Sequence, residues 1–179
     1  MIRSLRKATL ADIPILEHLI AESARALTSQ DYTNAQIEAA IGTAWGVDTE
    51  LIRDGTYFVV EDKDADLVGC GGWSRRKTLF GSDKQLGRES EVLDPSRNSA
   101  RIRAFFVRPD WARRGIGREL LLKCEHEARR DGFRSASLVA TLTGQRFYLS
   151  SGYVGEERVD YPLAGGTTIT FVPMTKGKL

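Results

Sequence analysis

Residues 113–118 read Arg-Arg-Gly-Ile-Gly-Arg, two glycines and three arginines in six positions. They lie between a strand-like run, ARIRAFFV at 100–107, and a run with helical spacing. A strand that feeds a helix through such a turn is a ready anion site. The first helical N–H groups lack partners, the helix dipole favours negative charge, and glycines let phosphate approach the main chain. The candidate chemistry is therefore capture of a phosphate-bearing ligand by the backbone of Arg113, Arg114, Gly115, Ile116, Gly117 and Arg118, with the arginines adding positive charge. A tight turn with a purely structural purpose is the competing reading. The segment is no Walker motif, because no Gly-Lys-Ser/Thr follows, and no dinucleotide fingerprint, because Leu120 stands where a third glycine belongs.

Other chemistries find less support. Cys70 and Cys124 have no metal-type or CxxC spacing and read as free, buried thiols of a reducing compartment, and His18 and His126 form no ligand cluster, so no metal site is expected. A net charge of +2 gives no argument for nucleic acid or a membrane surface. No apolar run approaches the ~20 residues of a bilayer span. The opening MIRSLRKATLADIP carries no signal-peptide pattern, so a cytoplasmic location is expected. A length of 179 residues suits one domain over 1–179.

The elements that must position the turn follow from periodicity. Residues 2–6 alternate as a short strand. Thr9–Asp12 and Thr33–Gln36 read as capping boxes, each opening a helix, and a third short helix is expected near 48–53. TYFVVE (56–61) and LVGCGGWS (67–74) form a hairpin around the polar turn DKDAD. Residues 75–99 are a long polar connection, of a length often found in lids and binding loops, with disorder as the competing reading. Pro109 closes the strand 100–107. Ile116, Leu120, Leu121, Cys124 and Ala128 make one helical face, and Gly132 suits the stop. SASLVA (135–140) is a strand and 143–152 a short helix, and YVGEERV (153–159) and TTITFVP (167–173) are read as two closing strands. The result is one α/β domain.

The stretch IRAFFVRPDWARRGIGRELL, with GQRFYLSSGY following, resembles the GCN5-related N-acetyltransferase superfamily. Its members have a strand ending in V-x-P, a turn of pattern [Q/R]-x-x-G-x-[G/A] and then F-Y-x-x-x-G-[F/Y]. Here the turn runs from Ala112 to Gly117 and the second motif from Phe147 to Tyr153, with Ala112 departing from the usual Gln or Arg. The resemblance implies a mixed, mostly antiparallel sheet of about seven strands flanked by about four helices. It implies acetyl-CoA as cofactor, with the pyrophosphate on the amides of 113–118. Phe105, Phe106 and Val107 match the segment that pairs with pantetheine and offers one amide to the thioester carbonyl. Tyr148 matches the general acid that protonates the departing thiolate, and a phenol with a pKa of ~10 is protonated at neutral pH. Thr143 replaces a cofactor-contacting Asn of many relatives.

The position of the Glu that serves some relatives as base is Arg101, which cannot serve. Glu22 and Glu61 remain candidates by element position only. Strand alternation places Arg101, Arg103 and Phe105 on one face, where the two guanidiniums could hold a carboxylate or phosphate of the substrate beside Trp73. The expected activity is acetyl transfer from acetyl-CoA to a primary amine of a small molecule, directly rather than through Cys70. The alternatives are a non-catalytic acyl-CoA sensor on the same fold, an enzyme for protein N-termini or lysines, and a nucleotide-binding domain. The closing strand pair could support a homodimer.

Overall fold

β-formers at Tyr57–Glu61 (β2) and Leu67–Ser74 (β3) make the expected hairpin. Its turn is built by Asp62, whose Oδ1 accepts the N–H groups of Asp64 at 2.9 Å and Asp66 at 3.1 Å. The computed structural model describes residues 3–85 and 87–179. Ile2, first residue of the expected opening strand, lies outside them; β1 is Ser4–Lys7. With β4 (Ala100–Val107), β5 (Ala136–Thr141), β6 (Val159–Pro162) and β7 (Thr168–Lys176), the strands form one seven-stranded sheet in the order β1-β2-β3-β4-β5-β7-β6. Every pairing is antiparallel except β4–β5. That parallel pair is joined only at Ala100–Ala136 and Arg101–Ser137. Beyond those residues the two strands part, and the sheet opens.

One correction concerns the chain after the last helix. The run 153–159 is not a strand. Val154 alone makes a bridge, to Thr175, and β6 begins at Val159. Gly155, with φ 155° and an added Cβ only 2.2 Å from the Pro173 carbonyl, is squeezed against β7, and no side chain could continue a ladder there.

Helices cover both faces of the sheet. α1 (Ile13–Thr28), α2 (Asn34–Ala40) and α3 (Thr49–Arg53) lie on one, and α4 (Ile116–Arg130) on the other, with α5 (Gln145–Ser150) following β5. α1 turns Leu16, Leu19, Ile20 and Ala24 inward, the stripe that helical periodicity requires. α2 is started by a reciprocal cap: the Gln36 N–H donates to Thr33 Oγ1 at 3.2 Å and the Thr33 N–H to Gln36 Oε1 at 3.0 Å. Two apolar cores result. The first joins α4 to Phe58, Val68 and Ile102; the second joins α1–α3 to Val59, Cys70 and Phe171.

The entry to α1 carries a pH signature. Both guanidinium ends of Arg6 donate to Asp12 at 2.8 Å, and the Thr9 N–H adds a bond at 2.7 Å. These hold the Asp12 carboxyl at about 2, below its ordinary 3.8, with the Arg6 bond the largest cause. A depressed carboxyl stabilises the fold above the unfolded value and loses that contribution as pH falls towards 2, on the order of 2 kcal/mol. The gap in unfolding free energy between the wild type and Asp12→Asn is expected to close by about that amount from pH 5 to 2 in urea titrations; a gap independent of pH would contradict this.

The long connection after β3 is ordered by a polar clamp. The Lys77 and Leu93 N–H groups donate to the carbonyls of Glu91 and Arg75, closing a hairpin-like excursion. The Ser82 and Asp83 N–H groups donate to the Thr43 and Val47 carbonyls. Asp48, with a fully buried side chain, accepts a hydrogen bond from Arg88 Nη2 at 2.8 Å and forms an ion pair with Arg103 Nη1 at 2.7 Å, and both arginines donate to the Gly81 carbonyl. The connection is thereby tied across the sheet opening.

Candidate active site

Where β4 leaves β5, a groove of about 1460 Å³ runs through the sheet. Small-molecule pockets usually fall at ~300–1000 Å³, so this one has room for a long ligand and a second reactant. Two side chains from the helical layer serve the parted strands. Tyr32 accepts the Leu142 N–H at 2.8 Å and donates to the Thr170 carbonyl at 2.7 Å, and Ser23 Oγ accepts the Val107 N–H at 3.3 Å. Burial pushes the Tyr32 phenol up to about 12, so it stays a neutral donor.

β4 is bulged. Gly72 pairs with Arg103 and Cys70 with Phe106, so Ala104 and Phe105 together oppose Gly71. Ala104 takes a φ of 57°, rare for a residue with a Cβ, and an added Cβ on Gly71 would sit 2.8 Å from the Phe105 ring. The extra residue breaks the expected alternation. Arg103 and Ala104 both face the α1 side, and Phe105 faces α4, where its ring meets Tyr148 at 6.3 Å. Beyond the bulge the Arg108 N–H donates to the Val68 carbonyl. By alternation the Phe106 N–H also faces β3, and the Phe105 and Val107 N–H groups face the opening.

The turn at the groove's other end is built as its sequence implies. Pro109–Trp111 make a single 3₁₀ turn, and α4 starts at Ile116. Arg113 and Gly115 both take left-handed φ, 63° and 84°, the backbone conformation from which anion-binding concavities are built. Gly115 is glycine for that conformation. Gly117 is helical, and a Cβ there would meet the Phe147 ring at an ordinary 3.5 Å, so the protein's own packing does not demand glycine. Arg113, Gly115, Ile116, Gly117 and Arg118 all border the groove. Arg114 faces outward: its guanidinium lies over Trp111 at 5.0 Å and its carbonyl accepts from Arg3.

Tyr148, on α5, is 9 % exposed and borders the groove among the rings of Phe105, Phe147 and Tyr153. Its hydroxyl has no hydrogen-bond partner among the described residues, and burial raises its pKa well above the ordinary phenol value. The result is a protonated hydroxyl, unspent, at the edge of the opening.

The structure separates the three substrate candidates from that centre. Trp73 is a core residue, packed on Phe133 at 6.0 Å, and is not part of the groove. Arg101 sits where β4 and β5 still pair, with Nη1 on Ser137 Oγ. Arg103 borders the groove, but its side chain is 1 % exposed and held by Asp48 and the Gly81 carbonyl. Glu22 and Glu61 lie elsewhere: Glu22 is exposed on α1 outside the groove, and Glu61 is bound by Arg6 at 2.7 Å. Sequence reasoning missed Ser23, Trp45 and Phe80, which border the groove, and Tyr32, which accepts from Leu142 beside it; they come from three other segments and carry no local signal.

The fold is matched in known proteins. Over nearly its full length the chain superimposes on a GCN5-related N-acetyltransferase from Rhodopseudomonas palustris, with a TM-score of 0.70, 21 % identity and coverage of 99 % and 98 % of the two chains. The PaiA N-acetyltransferase of Thermoplasma acidophilum, solved with coenzyme A, gives 0.66, 18 % and 99 % of each chain. YncA of Salmonella typhimurium, a putative acetyltransferase solved with acetyl-CoA, gives 0.61, 18 %, and 99 % and 94 %. At such identities these likenesses concern the fold. A comparison with curated proteins gave no match. Among the described residues no helix is long and apolar enough to cross a membrane. The family model of the Acetyltransferase (GNAT) family, however, matches residues 17–153, from α1 through the groove to the end of the second motif, and the chain belongs to that family.

Proposed function

We propose that the enzyme transfers an acetyl group from acetyl-CoA to a primary amine of a small molecule by direct attack in a ternary complex. One observation carries this reading: an open-amide turn, a parted strand edge and an unspent phenol share a single groove. The residues fit the cofactor. The turn of 113–118 offers N–H groups and positive charge for a pyrophosphate, and the space beside Gly117 is filled by no protein atom closer than Phe147. Two structures of the same fold hold coenzyme A or acetyl-CoA. When bound, acetyl-CoA supplies the acetyl group as a thioester.

The chain's own residues then have distinct tasks. The edge of Phe105–Val107 receives the pantetheine arm as an added strand, and the Phe105 N–H donates to the carbonyl oxygen as it gains charge, a contact worth about 3 kcal/mol in the transition state. As the C–N bond forms and the C–S bond breaks, Tyr148 gives its proton to the sulfur. The amine loses two protons. The ammonium proton passes to groove water before attack, and the second, freed as the amide forms, returns through water to the Tyr148 oxygen. Of the bordering carboxylates, Asp31 accepts from Thr143 at 2.6 Å and Glu125 from Tyr153 and Lys176. A covalent route through Cys70 has no support, since burial pushes that thiol up to about 12 and Cys70 does not border the groove.

Gly117→Leu tests the assignment of the turn. The substitution removes a helix-weakening glycine, and so keeps or raises stability by up to about 1 kcal/mol. Its side chain enters the space assigned to the pyrophosphate, and the Kd for acetyl-CoA is expected to rise at least tenfold. Unchanged cofactor affinity in a stable variant would mean that the turn is structural.

A further inference from the structure

The bulge at Ala104 gives the groove two chemically different halves. The α4 side holds the anion-binding turn, Phe105 and Tyr148. On the α1 side the wall is apolar: Phe80, Phe106, Val139 and Leu142 are each half-buried, over a floor of Trp45 and Phe171. Phe80 comes from the connection after β3 and stands edge-on to Phe171 at 5.3 Å and to Tyr161 at 5.0 Å.

The charges behind this wall are already paired. Arg103 and Arg88 share Asp48, and Arg76 is held by Asp54 at 2.8 Å. The Tyr32 hydroxyl both accepts and donates. At the mouth Asp31 accepts from Thr143, and the exposed Arg158 has no ion-pair partner among the described residues. A carboxylate or phosphate placed against the wall itself would lose its water among aromatic faces, the unpaired cation nearby standing in solvent at the mouth, whereas an apolar body gains contact with those faces. We infer that the acceptor is a primary amine carried on an aromatic-sized apolar body, and that Phe80 is a specificity-determining residue for it. This inference rests on the transferase reading above, and it replaces the acidic acceptor expected from Arg101 and Arg103.

The test is acetyl-CoA-dependent thiol release with 2-phenylethylamine, ethanolamine and glutamate as acceptors, for the wild type, Phe80→Ala and Phe80→Leu. The expected kcat/KM for 2-phenylethylamine exceeds that for the two polar amines by at least tenfold. Phe80→Ala is expected to raise its KM about tenfold at unchanged acetyl-CoA affinity, and Phe80→Leu, which keeps an apolar wall, to lie between. Turnover that favours glutamate or ethanolamine, or a KM indifferent to Phe80→Ala in a folded variant, overturns the inference and leaves the transferase reading standing. Acetyl-CoA binding without turnover of any primary amine, in this panel or a wider one, overturns both.

Discussion

Tyr148→Phe is expected to lower kcat by about a hundredfold or more, within the ~10²–10⁴ range of a positioned general acid. Affinity for acetyl-CoA and thermal stability should be unchanged. The hydroxyl has no partner among the described residues, so its removal breaks no bond, and the ring keeps its contacts with Phe105, Phe147 and Tyr153. The pH profile gives a second readout. Because burial raises this phenol well above its ordinary value, the wild-type rate should show no alkaline decline from Tyr148 ionisation up to pH 10. Should the Phe variant turn over normally, the thiolate takes its proton from water and Tyr148 only fills space.

The second large effect is on stability and begins at Asp48. Its fully buried carboxylate is the common partner of Arg88 and Arg103, and its Oδ1 also accepts the Glu50 N–H at 3.0 Å. Asp48→Ala leaves the Arg103 guanidinium buried with only the Gly81 carbonyl as partner. Breaking a buried pair from one side costs about 3–5 kcal/mol, which for a chain of this size lowers Tm on the order of 10 °C. The loss reaches the site as well, since Gly81 follows Phe80 and the clamp sets that ring's place over Phe171. A higher amine KM should therefore accompany the lower Tm. Asp48→Asn, which keeps the shape and loses the charge, should fall between. Calorimetric unfolding within about 2 °C of wild type would show that the network contributes little.

Local signals made much of this molecule legible. The strand 100–107 and the helix from Ile116 were bounded by Pro109, Gly115 and Gly132, residues whose backbone restrictions operate without tertiary context. The hairpin of β2 and β3 and the caps of α1 and α2 belong to the same class. The bulge was not legible, because its cause is the pairing of Gly71 with two residues 33 and 34 positions later. That single extra residue reverses the face of Phe105 relative to Arg103, and with it the expected acidic subsite. The false strand at 153–159 failed on Gly155, whose constraint is contact with β7. The polar connection after β3 gave no sign of order, since its anchors are Asp48, Thr43 and Val47 from the α2–α3 region. Of the groove, the glycine turn and Tyr148 could be named from motifs, whereas the apolar wall could not: Trp45, Phe80 and Phe171 meet only in three dimensions.

Calorimetric titration of the purified protein with acetyl-CoA, beside ATP and NAD as controls, tests the central claim most directly. The groove predicts micromolar binding of acetyl-CoA at one site per chain, with neither nucleotide competing. Absence of binding, or a preference for ATP or NAD, would contradict the assignment of the turn, the parted strands and Tyr148 to acetyl transfer.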